Sequence, residues 1–261
     1  MGCWGLDCIT SDFPQGNDVA GIKRHNANQS CRVCNAAIED LTNQSYDYFT
    51  NARFLQETRR LVATLEQETT RTAQAQLATR YGLSMSPGPF NKLSWNPHVQ
   101  TPHDAYHSMT DKARRLLDVT FSVFSASGNA EWNKEWRHIE KPTQWSRMPN
   151  PLTHRQSFTF NDVLKLSMLM PIILRRFLKP SHFKTEFLQS MHARLDTSRD
   201  TSVIKTFCRL WAVEGKALKQ VFATTMTNNT YQDLHHVLRI EEKMLLKVCA
   251  TTSSLCQLLF N

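Results

Sequence analysis

The chain has 261 residues, of which 41% are hydrophobic and only 8 are glycine and 10 proline. This composition excludes a collagen-like or largely disordered protein and allows one sizeable core. The formal net charge is +8, and residues 1–100 carry nine basic and nine acidic side chains whereas residues 101–261 carry 22 and 14. The excess positive charge therefore predicts that the second part attracts polyanions, nucleic acid first among them.

Cysteine usage and hydropathy indicate the compartment. The chain has seven cysteines, an odd number, and most of them stand singly among apolar neighbours, which is typical of reduced intracellular thiols. The N-terminal sequence MGCWGLDCITSDF lacks the basic start and apolar core of a secretion signal. The most apolar run, residues 163–178, is interrupted by charges and is too short to cross a bilayer. We therefore expect a soluble nuclear or cytoplasmic protein, neither secreted nor inserted in a membrane.

The first 36 residues combine a predicted strand with metal-capable side chains. Residues 4–12 predict a short strand that delivers Asp12 at its carboxyl end, before Pro14 and Gly16. No partner strand follows, so this segment reads as the remnant of a sheet. Residues 17–25 predict a short helix.

The rest of the chain predicts helices and loops. The helical patterns cover residues 51–82, 103–125, 158–178, 201–224 and 231–260, with a proline-rich loop at 85–102 and an irregular, tryptophan-rich stretch at 129–156. The tryptophans of that stretch either pin it to a core or stack on bases. The fold class is therefore mainly α, a helical domain with a short N-terminal strand. Residues 37–100 form a helical insertion and loop, and residues 101–261 form a basic helical region packed with it as one domain.

The spacing Cys31-x-x-Cys34 is that of half a zinc knuckle, because two thiolates on a tight turn occupy two of the four tetrahedral positions. The candidates for further zinc ligands are His25, His103 and His107, and the alternative is a pair of buried thiols. A zinc site formed this way requires residues 11–35 and 101–107 to lie close together.

Two acids, one histidine and one basic cluster are further candidates. Asp104 and His107 open a helix, where Asp104 either caps the first turn or binds Mg²⁺. Glu214 lies on the apolar stripe of its helix and must be paired, metal-bound or at the edge of the core. The basic cluster comprises Arg175, Arg176, Lys179 and Lys184. It either contacts nucleic acid or is a solvated helix end.

Four motifs in this order resemble a known family. They are DFPQGND from Asp12, KRHN from Lys23, the Cys31-x-x-Cys34 pair, and Asp104-x-x-His107 followed by KARRLL. Together they resemble eukaryotic cut-and-paste transposases with an RNase H-like acidic-triad domain, of the CACTA-like and Kyakuja–Dileera–Zisupton groups, and the transposon-derived proteins expanded in fungal genomes.

The resemblance implies Mg²⁺-assisted attack on a DNA phosphodiester in active relatives. It places Asp12 at the second catalytic carboxylate, with Asp18 as the alternative, and it leaves Asp104 and Glu214 as vestigial acids. The strand with the first aspartate would precede residue 1, so we expect a truncated, catalytically inactive protein that retains zinc and DNA binding. The alternatives are a helical interaction module with a zinc turn and no DNA role, and a Cys–His hydrolase using Cys31 or Cys34.

Overall fold

The computed structural model describes residues 8–24, 27–37, 39–40, 43, 45–86, 88, 95–145 and 148–249. Within them the chain forms eleven α-helices and only isolated β-bridges, which confirms the mainly α prediction. The chain divides into two compact units, Met1–Ser108 and Met109–Asn261. Among the described helices, none has the length and apolar character needed to cross a membrane.

The first unit is built from short helices and bridges. Its helices are α1 (Phe13–Ala20), α2 (Leu55–Gln67), α3 (Arg71–Tyr81) and α4 (Pro97–Gln100), followed by the start of α5 (Ala105–Val123). Its bridges are one parallel pair, Ser11 with His103, and two antiparallel pairs, Ile22 with Leu83 and Cys34 with Ala52. The small core contains Ala20, Ile22 and Leu83. Each of these bridges joins a single residue pair, and only the one at Ser11 falls within the predicted strand.

The N-terminal elements differ from their prediction. Over residues 8–12, the described part of the predicted strand, only Ser11 forms a bridge; residues 4–7 lie outside the described residues. Asp12 instead caps α1, where its Oδ1 accepts a hydrogen bond from the Gln15 amide at 2.9 Å. The predicted helix at 17–25 therefore begins earlier and ends at Ala20, because Gly21 adopts a left-handed conformation with φ 70°.

The pattern at residues 51–82 forms two helices in place of one. The break falls before Thr70, whose hydroxyl accepts a hydrogen bond from the Ala73 amide at 3.2 Å and so caps α3. The predicted end at Gly82 is confirmed, since this residue has φ 66°. The predicted loop at 85–102 contains α4.

The second unit is a helical bundle. After the end of α5 it contains α6 (Ala126–His138), α7 (Pro151–His154), α8 (Phe160–Phe177), α9 (Thr185–Leu195), α10 (Asp200–Val221) and α11 (Asn228–Cys249), with 3₁₀ helices at Arg155–Ser157 and Pro180–His182. The long helix α10 packs against α8, α9 and α11. At its centre Trp211 is fully buried and donates from Nε1 to Thr120 Oγ1 of α5 at 3.0 Å.

The tryptophan-rich stretch is more ordered than the sequence predicts. It contains most of α6, and Gly128 lies inside this helix, where a Cβ atom would come within 2.2 Å of the His182 carbonyl oxygen. Trp132 and Trp136 are buried with stacked rings, 5.9 Å between centroids. These two rings therefore belong to the core, which contradicts their use in base stacking.

The remaining helices agree with the sequence in part. Thr159 and Asp162 form a capping box at the start of α8, which contains Pro171 as predicted. The predicted helix at 231–260 begins at Asn228 and is described as far as Cys249; residues 250–261 lie outside the described residues. Helix α9 has no counterpart in the prediction because it buries only Phe187 and Met191, too few apolar residues for a periodic signal.

Candidate functional sites

The predicted meeting of the cysteine turn with the segment before α5 is confirmed. Cys31 Sγ lies 3.9 Å from His103 Nε2, and His103 also forms the parallel bridge with Ser11. Cys34 is buried, and its backbone forms an antiparallel bridge with Ala52. The structure therefore brings both thiols and one of the three candidate histidines into one corner of the first unit.

A buried arginine joins these two segments. Arg32 lies between the two cysteines in sequence and is fully buried. Its guanidinium donates from Nε to the Thr101 carbonyl at 2.8 Å and from Nη2 to the Pro102 carbonyl at 2.9 Å. Its Nη1 donates to Asn17 Oδ1 at 3.3 Å. Such interior arginines are expensive to desolvate, so their donors need partners of this kind.

A second buried arginine fixes the cysteine turn itself. Arg53 donates from Nε to the Cys31 carbonyl at 2.6 Å and from Nη2 to the carbonyls of Gln29 and Tyr81 at 2.6 and 3.1 Å. Sequence reasoning missed both arginines. Only Arg32 carries a sequence signal, its place between the two cysteines, because an interior arginine and a surface arginine look alike in one sequence.

The two thiols differ in acidity. The Cys34 thiol donates a hydrogen bond to Cys31, and together with His103 and the Val33 amide it holds the pKa of Cys31 well below its ordinary value, although burial opposes this. The same hydrogen bond to Cys31, together with burial and the charge on Cys31, raises the pKa of Cys34. Cys31 is therefore the more acidic of the two thiols.

The donor atoms of Cys31, Cys34 and His103 are of the types that zinc binds. Two sulfurs and an imidazole nitrogen are standard zinc donors, and in a tetrahedral site sulfur and nitrogen ligands lie roughly 3.6 Å apart, close to the separation of Cys31 and His103. Among the described residues, no group of three or more His, Cys, Asp or Glu side chains lies in an arrangement that could hold a metal ion. His25, another predicted ligand, lies outside the described residues. The thiolate and imidazole are also the pair that a Cys–His nucleophile would use.

His107, the other predicted ligand, is engaged by Asp104. Asp104 accepts hydrogen bonds at Oδ1 from the amides of Tyr106 and His107, at 2.8 and 3.2 Å, and at Oδ2 it contacts His107 Nδ1. Partial burial opposes ionisation, but the hydrogen bonds from His107 and the two amides lower the pKa of Asp104. Asp104 is thus the cap of α5, the first of the two roles considered for it.

Asp12 and Asp18, the two carboxylates considered as the second catalytic acid, have local partners. Asp12 caps α1, and Asp18 forms an exposed ion pair with Arg24 that lowers the Asp18 pKa. Both therefore have a structural role within a few residues of their positions in the chain.

Glu214 lies in the second unit and is paired. It is fully buried, and its Oε2 lies 3.4 Å from Lys112 Nζ, which is also 2.5 Å from Glu241 Oε1. Burial raises the pKa of Glu214 well above its ordinary value; Lys112 opposes this shift, and the charge of Glu241 adds to it. The two carboxyl groups raise the pKa of Lys112 although burial acts against them. Lys112 is therefore shared by two buried carboxyl groups, and burial favours the neutral form of Glu214.

Sequence reasoning missed Lys112 and Glu241. Glu241 lies on the apolar stripe of α11 beside Val237, Met244 and Leu245, in the same kind of position as Glu214 in α10. Two acids on two apolar stripes predict a shared cation, and this signal was readable in the sequence.

The basic cluster at the end of α8 and the start of α9 is exposed. Arg175, Arg176, Lys179 and Lys184 all face solvent, and Arg176 Nε lies 3.1 Å from Glu135 Oε2. Exposed cations of this density are available to a polyanion, and they also suit the carboxyl end of α8.

The first unit thus presents a contact between Cys31 and His103 beside Cys34, and the second a helical bundle with an exposed basic surface. Comparisons with protein-family models, with curated proteins and with solved structures give no match to this chain.

Proposed function

We propose that this chain is a transposase-derived protein that holds a structural zinc ion and contacts DNA without cutting it. The observation that carries the proposal is the 3.9 Å separation of Cys31 Sγ and His103 Nε2, between segments 72 residues apart. It joins the Cys31-x-x-Cys34 motif to His103, the residue immediately before the Asp104-x-x-His107 motif.

Cys31, Cys34 and His103 would hold the ion. Bound zinc supplies a cross-link between distant segments of a small unit, and sulfur-rich zinc sites in proteins are mostly structural. The ligand set is completed by a fourth donor, for which His25 remains the candidate from the sequence. His107 is the weaker candidate because Asp104 already engages it.

DNA contact is assigned to the exposed basic cluster of Arg175, Arg176, Lys179 and Lys184. It belongs to the part of the chain in which basic side chains outnumber acidic ones by 22 to 14. Contacts of this kind bind phosphates without reading sequence, so affinity falls steeply with salt.

The absence of cutting follows from the roles of the three acids. Two-metal phosphoryl transfer needs carboxylate oxygens directed at the ions. Asp12 and Asp104 instead accept hydrogen bonds from the first-turn amides of helices, and Glu214 is buried beside Lys112. We expect no nicking of DNA by the purified chain with Mg²⁺ or Mn²⁺. Specific cleavage that disappears in Asp12→Ala would overturn this part.

Metal analysis tests the zinc site. We expect one zinc per chain after purification, loss of the metal in Cys31→Ser, and weaker binding in His103→Ala. Cys208→Ser is the matched control, since Cys208 is a lone buried thiol of the second unit. A metal-free wild type that hydrolyses activated esters through Cys31 would instead support the Cys–His hydrolase.

Binding to a fluorescent duplex at several salt concentrations tests the DNA contact. Replacing the four cluster residues by alanine should weaken binding and reduce the slope of log affinity against log salt by roughly 3 to 4, because each phosphate contact contributes about 0.9. The control carries four alanines at exposed basic residues of α10 and α11, namely Lys205, Arg209, Lys219 and Lys243. Equal effects of both sets would contradict the assignment.

One observation favours a second candidate, a helical interaction module with the zinc turn and no role on DNA. Phe49 and Phe54 are 81% and 63% exposed, and they flank the bridge between Cys34 and Ala52. Large apolar side chains on a surface are typical of protein contact sites. Stoichiometric zinc together with salt-independent, negligible DNA binding would select this candidate.

A further inference from the structure

His103, the proposed zinc ligand, lies 69 residues after Cys34 in the sequence. Residues outside the cysteine turn's own spacing must therefore hold it beside Cys31. The residues immediately before it, Thr101 and Pro102, offer their carbonyl oxygens to one side chain, that of Arg32. Arg32 is the neighbour of Cys31 in the chain. One guanidinium therefore fixes the distance between the thiolate and the imidazole.

The backbone of Arg32 is tied to the same segment. Its carbonyl oxygen accepts a hydrogen bond from His98 Nδ1 at 2.8 Å, and the Thr101 hydroxyl donates to the carbonyl of Pro97. Segment 97–103 is thus bound both to the backbone carbonyl of Arg32 and to its guanidinium.

A third contact orients the guanidinium from the opposite side. Asn17, fully buried in α1, accepts from Arg32 Nη1 at 3.3 Å and donates from Nδ2 to the Ser30 carbonyl at 3.0 Å. The neighbouring Gly16 leaves room for the planar group, because a Cβ atom there would lie 2.6 Å from Arg32 Cζ. Only glycine at position 16 is compatible with this arrangement.

We propose that Arg32 is a positioning residue for the zinc site, which holds His103 in place as a ligand before the metal arrives. The inference rests on the proposed zinc binding and adds to it a residue that does not touch the ion. Outer residues that orient ligands in this way change metal affinity about 10- to 100-fold.

Titration with Co²⁺, followed by competition with Zn²⁺, tests the proposal on the full chain. Arg32→Lys keeps the charge but presents one ammonium in place of a planar fork, so it cannot bind Thr101, Pro102 and Asn17 together. We expect a Co²⁺ dissociation constant raised about 10- to 100-fold, with the thiolate-to-cobalt absorption kept and the ligand-field bands shifted as in His103→Ala. Arg71→Lys, an exposed arginine of α3, should bind as wild type does.

The double variant Arg32→Lys with His103→Ala separates positioning from general stability. If Arg32 acts through His103, the double variant binds Co²⁺ no more weakly than His103→Ala alone. Multiplicative losses would overturn the proposal, and so would a wild-type affinity in Arg32→Lys. A wild type that binds neither Co²⁺ nor Zn²⁺ would overturn the zinc site as well, so the two failures are distinguishable.

Gly16→Ala gives a second approach that leaves Arg32 in the chain. Its methyl group should displace the guanidinium and lower Co²⁺ affinity in the same direction, with the same ligand-field shift. Unfolding of the first unit in both Gly16→Ala and Arg32→Lys, seen by loss of its dispersed amide signals, would overturn the proposal, because Arg32 would then serve the fold and not the ligand.

Discussion

The buried imidazole of His98 predicts a specific acid sensitivity of the first unit. His98 is 3% exposed, its Nδ1 donates to the Arg32 carbonyl at 2.8 Å, and its Nε2 lies 2.8 Å from Thr58 Oγ1, from which the neutral ring accepts. Burial lowers the pKa of His98 to about 4, and the nearby charge of Arg53 acts in the same direction. Protonation would place a second cation beside Arg53 and turn the acceptor towards Thr58 into a donor.

The direction and magnitude of the pH dependence follow from the difference between the pKa values of His98 in the folded and unfolded chain. Between the ordinary pKa of about 6.5 and the folded pKa, the unfolded chain binds a proton at His98 and the folded chain does not. The stability that the neutral ring contributes is therefore complete above pH 6.5 and is lost as the pH falls towards 4. A pKa lowered to about 4 corresponds to about 3 kcal/mol in total, of which about 2 kcal/mol is lost between pH 7 and pH 5.

Urea unfolding at pH 7 and pH 5, followed by the amide NMR signals of the first unit, measures this loss. His98→Asn keeps a donor for the Arg32 carbonyl but does not titrate, so its free energy of unfolding should fall by about 2 kcal/mol less than that of wild type between the two pH values. His235→Gln, at an exposed position in α11, is the control. Equal losses in wild type and His98→Asn would refute the reasoning.

Two further predictions concern the buried charges and the glycines. Lys112→Met should cost about 3 kcal/mol or more at pH 7 because it leaves two buried carboxyl groups without their cation. Glu214→Gln replaces an acid whose neutral form is favoured by burial with an amide, so it should change the free energy of unfolding by less than about 1 kcal/mol. Chemical denaturation compares the two variants, and equal costs would contradict this preference of Glu214 for its neutral form. Gly82→Ala should lower stability by more than about 1 kcal/mol, since φ is +66° and the new Cβ would meet a backbone carbonyl oxygen at 1.7 Å. Gly215→Ala, inside α10 with its nearest contact at 3.6 Å, should instead stabilise by up to about 1 kcal/mol. Thermal unfolding checks this pair, and a stabilising Gly82→Ala would show that the close approach is relieved.

Where a local chemical signal in the sequence fits only one element, the prediction made from it is confirmed. Gly82 ends a helix as expected, because only a residue without a Cβ adopts the left-handed conformation at no cost. The apolar run around Pro171 forms the buried helix α8. The prediction of Asp12 at the end of a strand is wrong, since this residue caps a helix. An aspartate followed by an aromatic residue and a proline suits the end of a strand and the cap of a helix equally well.

The candidate metal site was predictable only as a set of residues. The pair Cys31 and Cys34 has a fixed spacing, and three histidines were possible partners. The structure brings His103 to Cys31 and leaves His107 with Asp104. This choice depends on the hydrogen bonds of Arg32 to segment 97–103, which no local pattern encodes.

The sequence by itself determined a mainly helical chain, a basic second part, a cysteine turn with histidine candidates, and an acid on an apolar stripe that had to be paired, metal-bound or at the edge of the core. These follow from side-chain chemistry and from periodicities of a few residues, which act along the chain. Only the tertiary structure decided which cation meets Glu214, which histidine meets Cys31 and which arginines are buried. Such pairings join residues tens of positions apart, and they are selected by the desolvation cost of every group that fails to find a partner.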